Sequence, residues 1–247
     1  MLEGLPAALA LIPIGFLGAL VYGATGGFGS ALVTIPLATH FVPLPLALAV
    51  FALQDFASAL RVGSENLRHV VKAEIVRMVP FMVLGIIVGT GLLLFLSRKA
   101  SMLALGLFVL IYGAWSLLQR GGPRLVTERW AHVAGFGGGL FGMLFGAGGP
   151  PVMIYLSHRE LSKEQFRSTL TLNSVFSIGA RVVALAFSGL LFRGEVWTTA
   201  ALVVPTALLA IVLGSRIFTH ISRNLLLRLV SLTLLATGTS LIVRALG

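Results

Sequence analysis

Two runs in this chain could bind a ligand through backbone alone: Gly23-Ala24-Thr25-Gly26-Gly27-Phe28-Gly29 and Gly146-Ala147-Gly148-Gly149-Pro150-Pro151. Glycine leaves open the approach to backbone N–H groups that a Cβ would screen. A half-helix starting at such a run aims its positive dipole end and free N–H groups at the ligand. Two such ends together suit an anion, not a cation. The amides at Gly26, Gly27 and Gly29, and at Gly148 and Gly149, are therefore candidate anion contacts.

A polar stripe adds side chains. Thr169, Asn173, Ser177 and Arg181 are spaced by four and so share one helical face. Arg181 lies inside an apolar run that continues through residues 182–187. An ionisable residue at membrane depth is a functional candidate, and the guanidinium fork matches planar or tetrahedral oxyanions. The competing use is snorkelling to the interface, and for Arg61, which borders a polar loop, that use is as good an account as binding. Asp55, the one Asp of the chain, lies in an apolar run beside Gln54. Lipid disfavours a charged carboxyl, so Asp55 is a candidate proton carrier; a structural ion pair with an Arg from another helix is the alternative. Gln54 joins the candidate binding residues.

Other chemistries find no support. The chain has no Cys, which excludes disulfides and thiol catalysis. His40, His69, His132, His158 and His220 are dispersed, with no metal-ligand spacing. No strand precedes the glycine runs and no Lys follows them as in a phosphate-binding loop, so neither reads as a nucleotide fingerprint. Neither a metal nor a cofactor is implied. A net charge of +10 could suggest nucleic acid, but the basic residues stand singly or in pairs. That pattern records membrane topology and anionic lipid instead.

The elements that position these residues follow from composition. Of 247 residues, 57% are hydrophobic and 11% charged, against about 25% charged in soluble domains. Mean hydropathy is +1.00. Such a surface cannot be solvated by water, so the chain reads as one compact, all-α, polytopic membrane domain over residues 1–247. A spanning helix needs about 20 apolar residues. Runs of that order occur at 43–60, 75–96, 101–118, 167–191, 196–216 and 225–245. Two further stretches, 5–40 and 131–156, contain the glycine runs and should be broken helices. Broken backbone at membrane depth is tolerated only where it is buried in protein or lines a cavity. The run Gly135–Gly139 with Gly142 instead suits close helix packing.

The halves resemble each other. Val79-Pro80, Gly89-Thr90, Leu96-Ser97-Arg98 and Gly113 recur 125 residues later as Val204-Pro205, Gly214-Ser215, Ile221-Ser222-Arg223 and Gly238. Gly15-Phe16 and Arg61 recur 120 residues later as Gly135-Phe136 and Arg181. The chain thus reads as two copies of one unit, about 1–120 and 121–247, each a broken segment followed by three helices. Paired broken segments are the best pointer to a transporter's binding site. Loop charge then decides orientation. If each broken segment crosses the membrane once, basic residues outside the Arg181 helix divide 9 against 8. If each enters and leaves on one side, they divide 13 against 4, as the positive-inside rule expects. We therefore expect re-entrant hairpins, inverted repeats, and both termini outside. The first basic residue is Arg61, so the N-terminus lacks the positive region of a signal peptide.

The second half carries Gly146-Ala147-Gly148-Gly149-Pro150, then Tyr155-Leu156, Phe166-Arg167-x-Thr169-Leu170 and Asn173. With these motifs and its two four-segment halves, the chain resembles the sulfite exporter TauE/SafE family over nearly its whole length. Thr25 and Phe28 depart from it by interrupting the first glycine run. It implies transport of sulfite, sulfoacetate or related small anions across a bacterial inner membrane, coupled to protons. The leading expectation is a secondary anion transporter whose partners are the small anion, the bilayer and protons. A passive anion channel is the nearest alternative in physics. An intramembrane enzyme would need Ser with His, paired acids or a metal cluster at depth, which Asp55 alone does not supply.

Overall fold

The computed structural model describes residues 5–25, 29–63, 67–118, 126–217 and 223–246. Among these, the elements are α1 (Leu5–Thr25), α2 (Ser30–Ala38), α3 (Leu44–Gly63), α4 (Lys72–Phe95), α5 (Arg98–Leu118), α6 (Trp130–Phe145), α7 (Gly149–Ser157), α8 (Lys163–Phe187), α9 (Gly194–Ile217) and α10 (Arg223–Leu246). Short 3-10 turns at Leu67–His69 and Leu190–Phe192 join them, and the described residues contain no strand. The six apolar runs correspond to α3, α4, α5, α8, α9 and α10, each end within four residues. The largest offset is at α8. There the Ser162 side chain accepts from the Gln165 N–H while Gln165 reaches back to the Ser162 N–H. This capping box starts the helix four residues before the apolar pattern does.

Both broken stretches break at their glycines. α6 ends where Gly146 takes a left-handed φ of +70°. Its N–H donates to the Gly142 carbonyl, and the Ala147 N–H donates to the Phe141 carbonyl, closing the helix end. Pro150 and Pro151 then stand in the first turn of α7, where a missing N–H costs nothing. In the first half, Gly29 at φ +89° precedes Ser30, the first residue of α2. Each short helix packs back against the long one before it, α2 on α1 and α7 on α6. At 9 residues, α2 and α7 are each about 14 Å long at 1.5 Å per residue. That is under half of the ~30 Å hydrocarbon core.

The long helices interlock across the halves. α1 lies along α9 and α6 along α4; α5 pairs with α10 and α3 with α8; α3 also meets α9, as α8 meets α4. Glycines make these approaches close enough for backbone contact. A Cβ at Gly135 would overlap the Met78 carbonyl, one at Gly139 the Met82 carbonyl, and one at Gly85 the Phe136 carbonyl. On the other side Gly214 meets the Leu20 carbonyl in the same way. Between α5 and α10, Gly106 faces the Gly238 carbonyl and Gly113 the Ser231 carbonyl.

Among the described residues, four helices are long and apolar enough to cross a membrane, at Leu44–Arg61, Lys72–Phe95, Glu164–Phe187 and Gly194–Gly214. α5 and α10 carry shorter apolar stretches, Lys99–Trp115 and Leu234–Leu246. The outer faces expose Leu84, Ile87, Leu94, Phe95 and Phe187, the last two at 89%. Apolar side chains at that density suit lipid, not water.

Candidate functional site

The two hairpin tips meet. α2 and α7 both begin at one small cavity of about 50 Å³. Gly29, Ser30, Ala31 and Leu32 line it from the first half, and Gly146 to Pro150 with Gly142 from the second. A water needs roughly 10–15 Å³ on this measure, so the space takes a few waters or one small oxyanion. The tips touch: a Cβ on Gly146 would stand 3.1 Å from the Ala31 Cβ and 3.0 Å from Ile35 Cγ1. Gly148 is equally closed in, since a Cβ there would overlap the Gly138 carbonyl of α6.

α8 supplies the polar wall. Asn173, Ser177 and Arg181 all line the cavity, with Ser174 and Ile178 beside them. Arg181 is 2% exposed and Asn173 3%. Arg181 Nη1 donates to the Gly142 carbonyl at 3.2 Å, and Nη2 donates to Asp55 Oδ2 at 3.4 Å. Its Nε–H and the Asn173 Oδ1 are buried without a hydrogen-bond partner. Unsatisfied groups of this kind cost about 1–3 kcal/mol each, and a polar ligand in the cavity is one way to recover that cost. Asp55 enters from α3 and Tyr22 from α1. Ser30 Oγ stands near the Asp55 carboxylate without closing a hydrogen bond to it.

The sequence-derived candidates divide. Gly29, Gly148, Gly149, Asn173, Ser177, Arg181 and Asp55 come together at the cavity. Gly26 and Gly27 lie outside the described residues. Gln54 is not on the cavity wall: it is fully buried, and its amide donates to the Gly15 carbonyl at 3.4 Å, holding α3 to α1. Arg61 is exposed at the C-terminal end of α3 and away from the cavity. Its repeat partner Arg181 sits a turn and a half from the end of α8, so equal sequence offset did not give equal depth. Thr169, first in the polar stripe, accepts from the Val71 N–H at 3.0 Å and so anchors the start of α4 instead.

Sequence reasoning missed two features. Tyr22 and Ser30 flank the first glycine run and share the cavity; their adjacency to it was the available signal. The other is a charged cluster at the far end of α7. The Tyr155 hydroxyl donates to Glu74, and Arg159 Nε donates to the same carboxylate at 2.9 Å. Arg77 and Arg159 both also reach Glu128, at 2.6 and 3.3 Å. Desolvation acts to lower the Arg159 pKa, but the Glu74 hydrogen bond and charge outweigh it and hold the guanidinium above its usual value. Glu74 is 2% exposed, and this cluster ties α4, the start of α6 and the end of α7 together. Its members are spread over 85 residues without periodicity, so only the fold gathers them.

A hairpin pair that joins two half-helix N-termini, a buried guanidinium and a lipid-facing exterior defines a multi-pass membrane protein with an internal polar site. The family model of the Sulfite exporter TauE/SafE matches residues 11–241, and the chain belongs to that family. Among curated relatives, the "Probable inner membrane transporter protein TsaS" of Comamonas testosteroni is 27% identical over 191 residues, covering 76% of this chain and 80% of the relative. The "Probable sulfite/organosulfonate exporter TauE" of Cupriavidus necator is 29% identical over 239 residues, covering 94% and 87%. No solved structure matches the chain.

Proposed function

We propose that this protein is a secondary transporter of small anions across the bacterial inner membrane, with sulfite, sulfoacetate and related sulfur oxyanions as the substrate class. The observation that carries this reading is the convergence of α2 and α7, both N-terminus first, on a cavity walled by Arg181 and Asn173. Each helix start presents about half a positive charge, and at α7, where Pro150 and Pro151 have no N–H, the donors are those of Gly148 and Gly149. Arg181 adds a full charge and a fork of donors. The C. testosteroni relative is named an inner membrane transporter and the C. necator relative a sulfite/organosulfonate exporter, and the two names together support this reading.

In this reading the two halves are inverted repeats, each a re-entrant hairpin followed by three spanning helices. The packing supports two equivalent halves, because exchanging them maps α1–α9 onto α6–α4, and α3–α9 onto α8–α4, while α3–α8 and α5–α10 map onto themselves; their inversion rests on the charge bias of the loops. Alternating access is then the movement of one repeat against the other around a fixed midplane site. Asp55 is the candidate proton carrier.

The test is thermal stabilisation of the purified chain by sulfite, sulfate, thiosulfate, sulfoacetate and acetate, since binding to the folded state raises apparent stability by mass action. A sulfur oxyanion should stabilise the parent and neither Arg181→Ala nor Gly149→Leu. If no anion shifts the parent, or both variants respond as the parent does, the proposed site is wrong.

A further inference from the structure

The Asp55–Arg181 contact is a poor ion pair for its surroundings. Both side chains are 3–4% exposed, yet they share one contact of 3.4 Å, not the two short bonds a guanidinium fork allows. Asp55 Oδ1 and Arg181 Nε are both left without a partner. A buried pair is retained at little cost only when its geometry is good and its remaining lone pairs and protons are satisfied. This one is neither. It also sits inside the cavity and not beside it, so the carboxylate holds Arg181 from the same space a ligand would use.

We propose, resting on the anion-transport reading above, that the Asp55 carboxylate is a built-in competitor for the anion, and that an anion binds only together with one proton on Asp55. With the carboxylate charged, Arg181 is already neutralised, and an incoming anion meets only the two helix ends. When a proton from solution adds to the carboxylate oxygen, Asp55 becomes a neutral acid. Nη2 is then released to the anion, and Nε gains the acceptor it lacks. No other bond is made or broken. The cavity wall contains three titratable groups among the described residues: Asp55 from α3, Arg181 from α8 and Tyr22 from α1. α2 contributes Ser30 to it, while α5 and α9, packed on other faces of α3, bring no titratable group to the cavity. Arg181 remains a cation throughout, and Tyr22 starts out protonated. Asp55 is therefore the group able to take up a proton.

The experiment is calorimetric binding of methanesulfonate, an anion whose own charge is constant over the pH range used. It is done on the full-length protein in lipid nanodiscs, in two buffers of different ionisation enthalpy. The difference between buffers counts protons. The expected result is uptake of about one proton per anion, with affinity falling about tenfold per pH unit on the alkaline side. Asp55→Asn should bind with no proton uptake and with no pH dependence, and Tyr22→Phe should keep both. Binding by the parent without proton uptake at any pH tested, or with an affinity that does not fall on the alkaline side, overturns the proposal, as does uptake that persists in a folded Asp55→Asn. The parent measurement decides alone if that variant fails to fold. Absence of anion binding in the parent is a different failure: it removes the anion site itself, and the coupling with it.

Discussion

Gly148→Ala isolates the geometry of the second hairpin tip, because it adds one methyl group where the nearest atoms are all backbone. The new Cβ would overlap the Gly138 carbonyl oxygen and stand 3.1 Å from the Gly142 Cα. Neither neighbour can rotate away. Ordinary contact needs about 3.5 Å or more, so the first turn of α7 must retreat from α6 by roughly 1 Å. Overpacking of this kind costs about 1–3 kcal/mol of stability. The effect on the ligand is separate. A half charge at an effective dielectric of about 20 is worth ~2.1 kcal/mol at 4 Å and ~1.7 kcal/mol at 5 Å. One amide bond to a charged group, lost on retreat, adds about 1.5–3 kcal/mol. Anion affinity should therefore fall roughly 30- to 300-fold. The comparison is Gly137→Ala, whose Cβ would make ordinary contacts with the Pro151 ring at 3.5 Å and the Phe141 ring at 3.9 Å; it should bind as the parent does and unfold no more easily, since alanine favours the helix. The assay is anion titration followed by thermal stability, and counterflow of the same anion in proteoliposomes. A Gly148→Ala protein that binds as tightly as the parent would refute the claim that the α7 N-terminus holds the ligand.

The helix seams make predictions of opposite sign. Gly139→Ala, which drives a Cβ into the Met82 carbonyl, should destabilise by about 1–3 kcal/mol. Gly91→Ala, with nothing within 4 Å near the C-terminal end of α4, should stabilise by up to ~1 kcal/mol through helix propensity; both are read as midpoint shifts in thermal unfolding. Glu74→Gln should loosen the base of the second hairpin by about 1–3 kcal/mol, because Tyr155 and Arg159 lose a shared charged acceptor while Arg159 keeps Glu128. Faster amide exchange at residues 157–162 than in the parent is the check, and unchanged exchange there would count against the cluster as the anchor. Since the chain has no Cys, single cysteines report topology directly. Ser157→Cys and Ser97→Cys, both at exposed positions, should label from opposite faces of inside-out and right-side-out vesicles; labelling from one face would break the re-entrant arrangement.

The sequence by itself determined that the chain is all-helical, where six of its long helices lie, and that two stretches must break at glycine. Those properties are local. Apolar run length, glycine and proline content, and the four-residue spacing of Asn173, Ser177 and Arg181 act within a turn or two of the chain. The same locality sets the limit of the reading. Gln54 and Arg61 stand out by neighbours and repeat offset, yet neither lines the cavity, because neither quantity says how deep a side chain sits or which helix faces it. Tertiary structure alone decided that α1 lies on α9 and α6 on α4, so that hairpins from the two halves bring their tips together. It alone paired Asp55 with Arg181 across 126 residues, and gathered Glu74, Tyr155, Arg159, Arg77 and Glu128 into one cluster. Such pairings depend on which glycine faces let two backbones approach, and that complementarity belongs to pairs of distant surfaces, not to any one stretch of sequence.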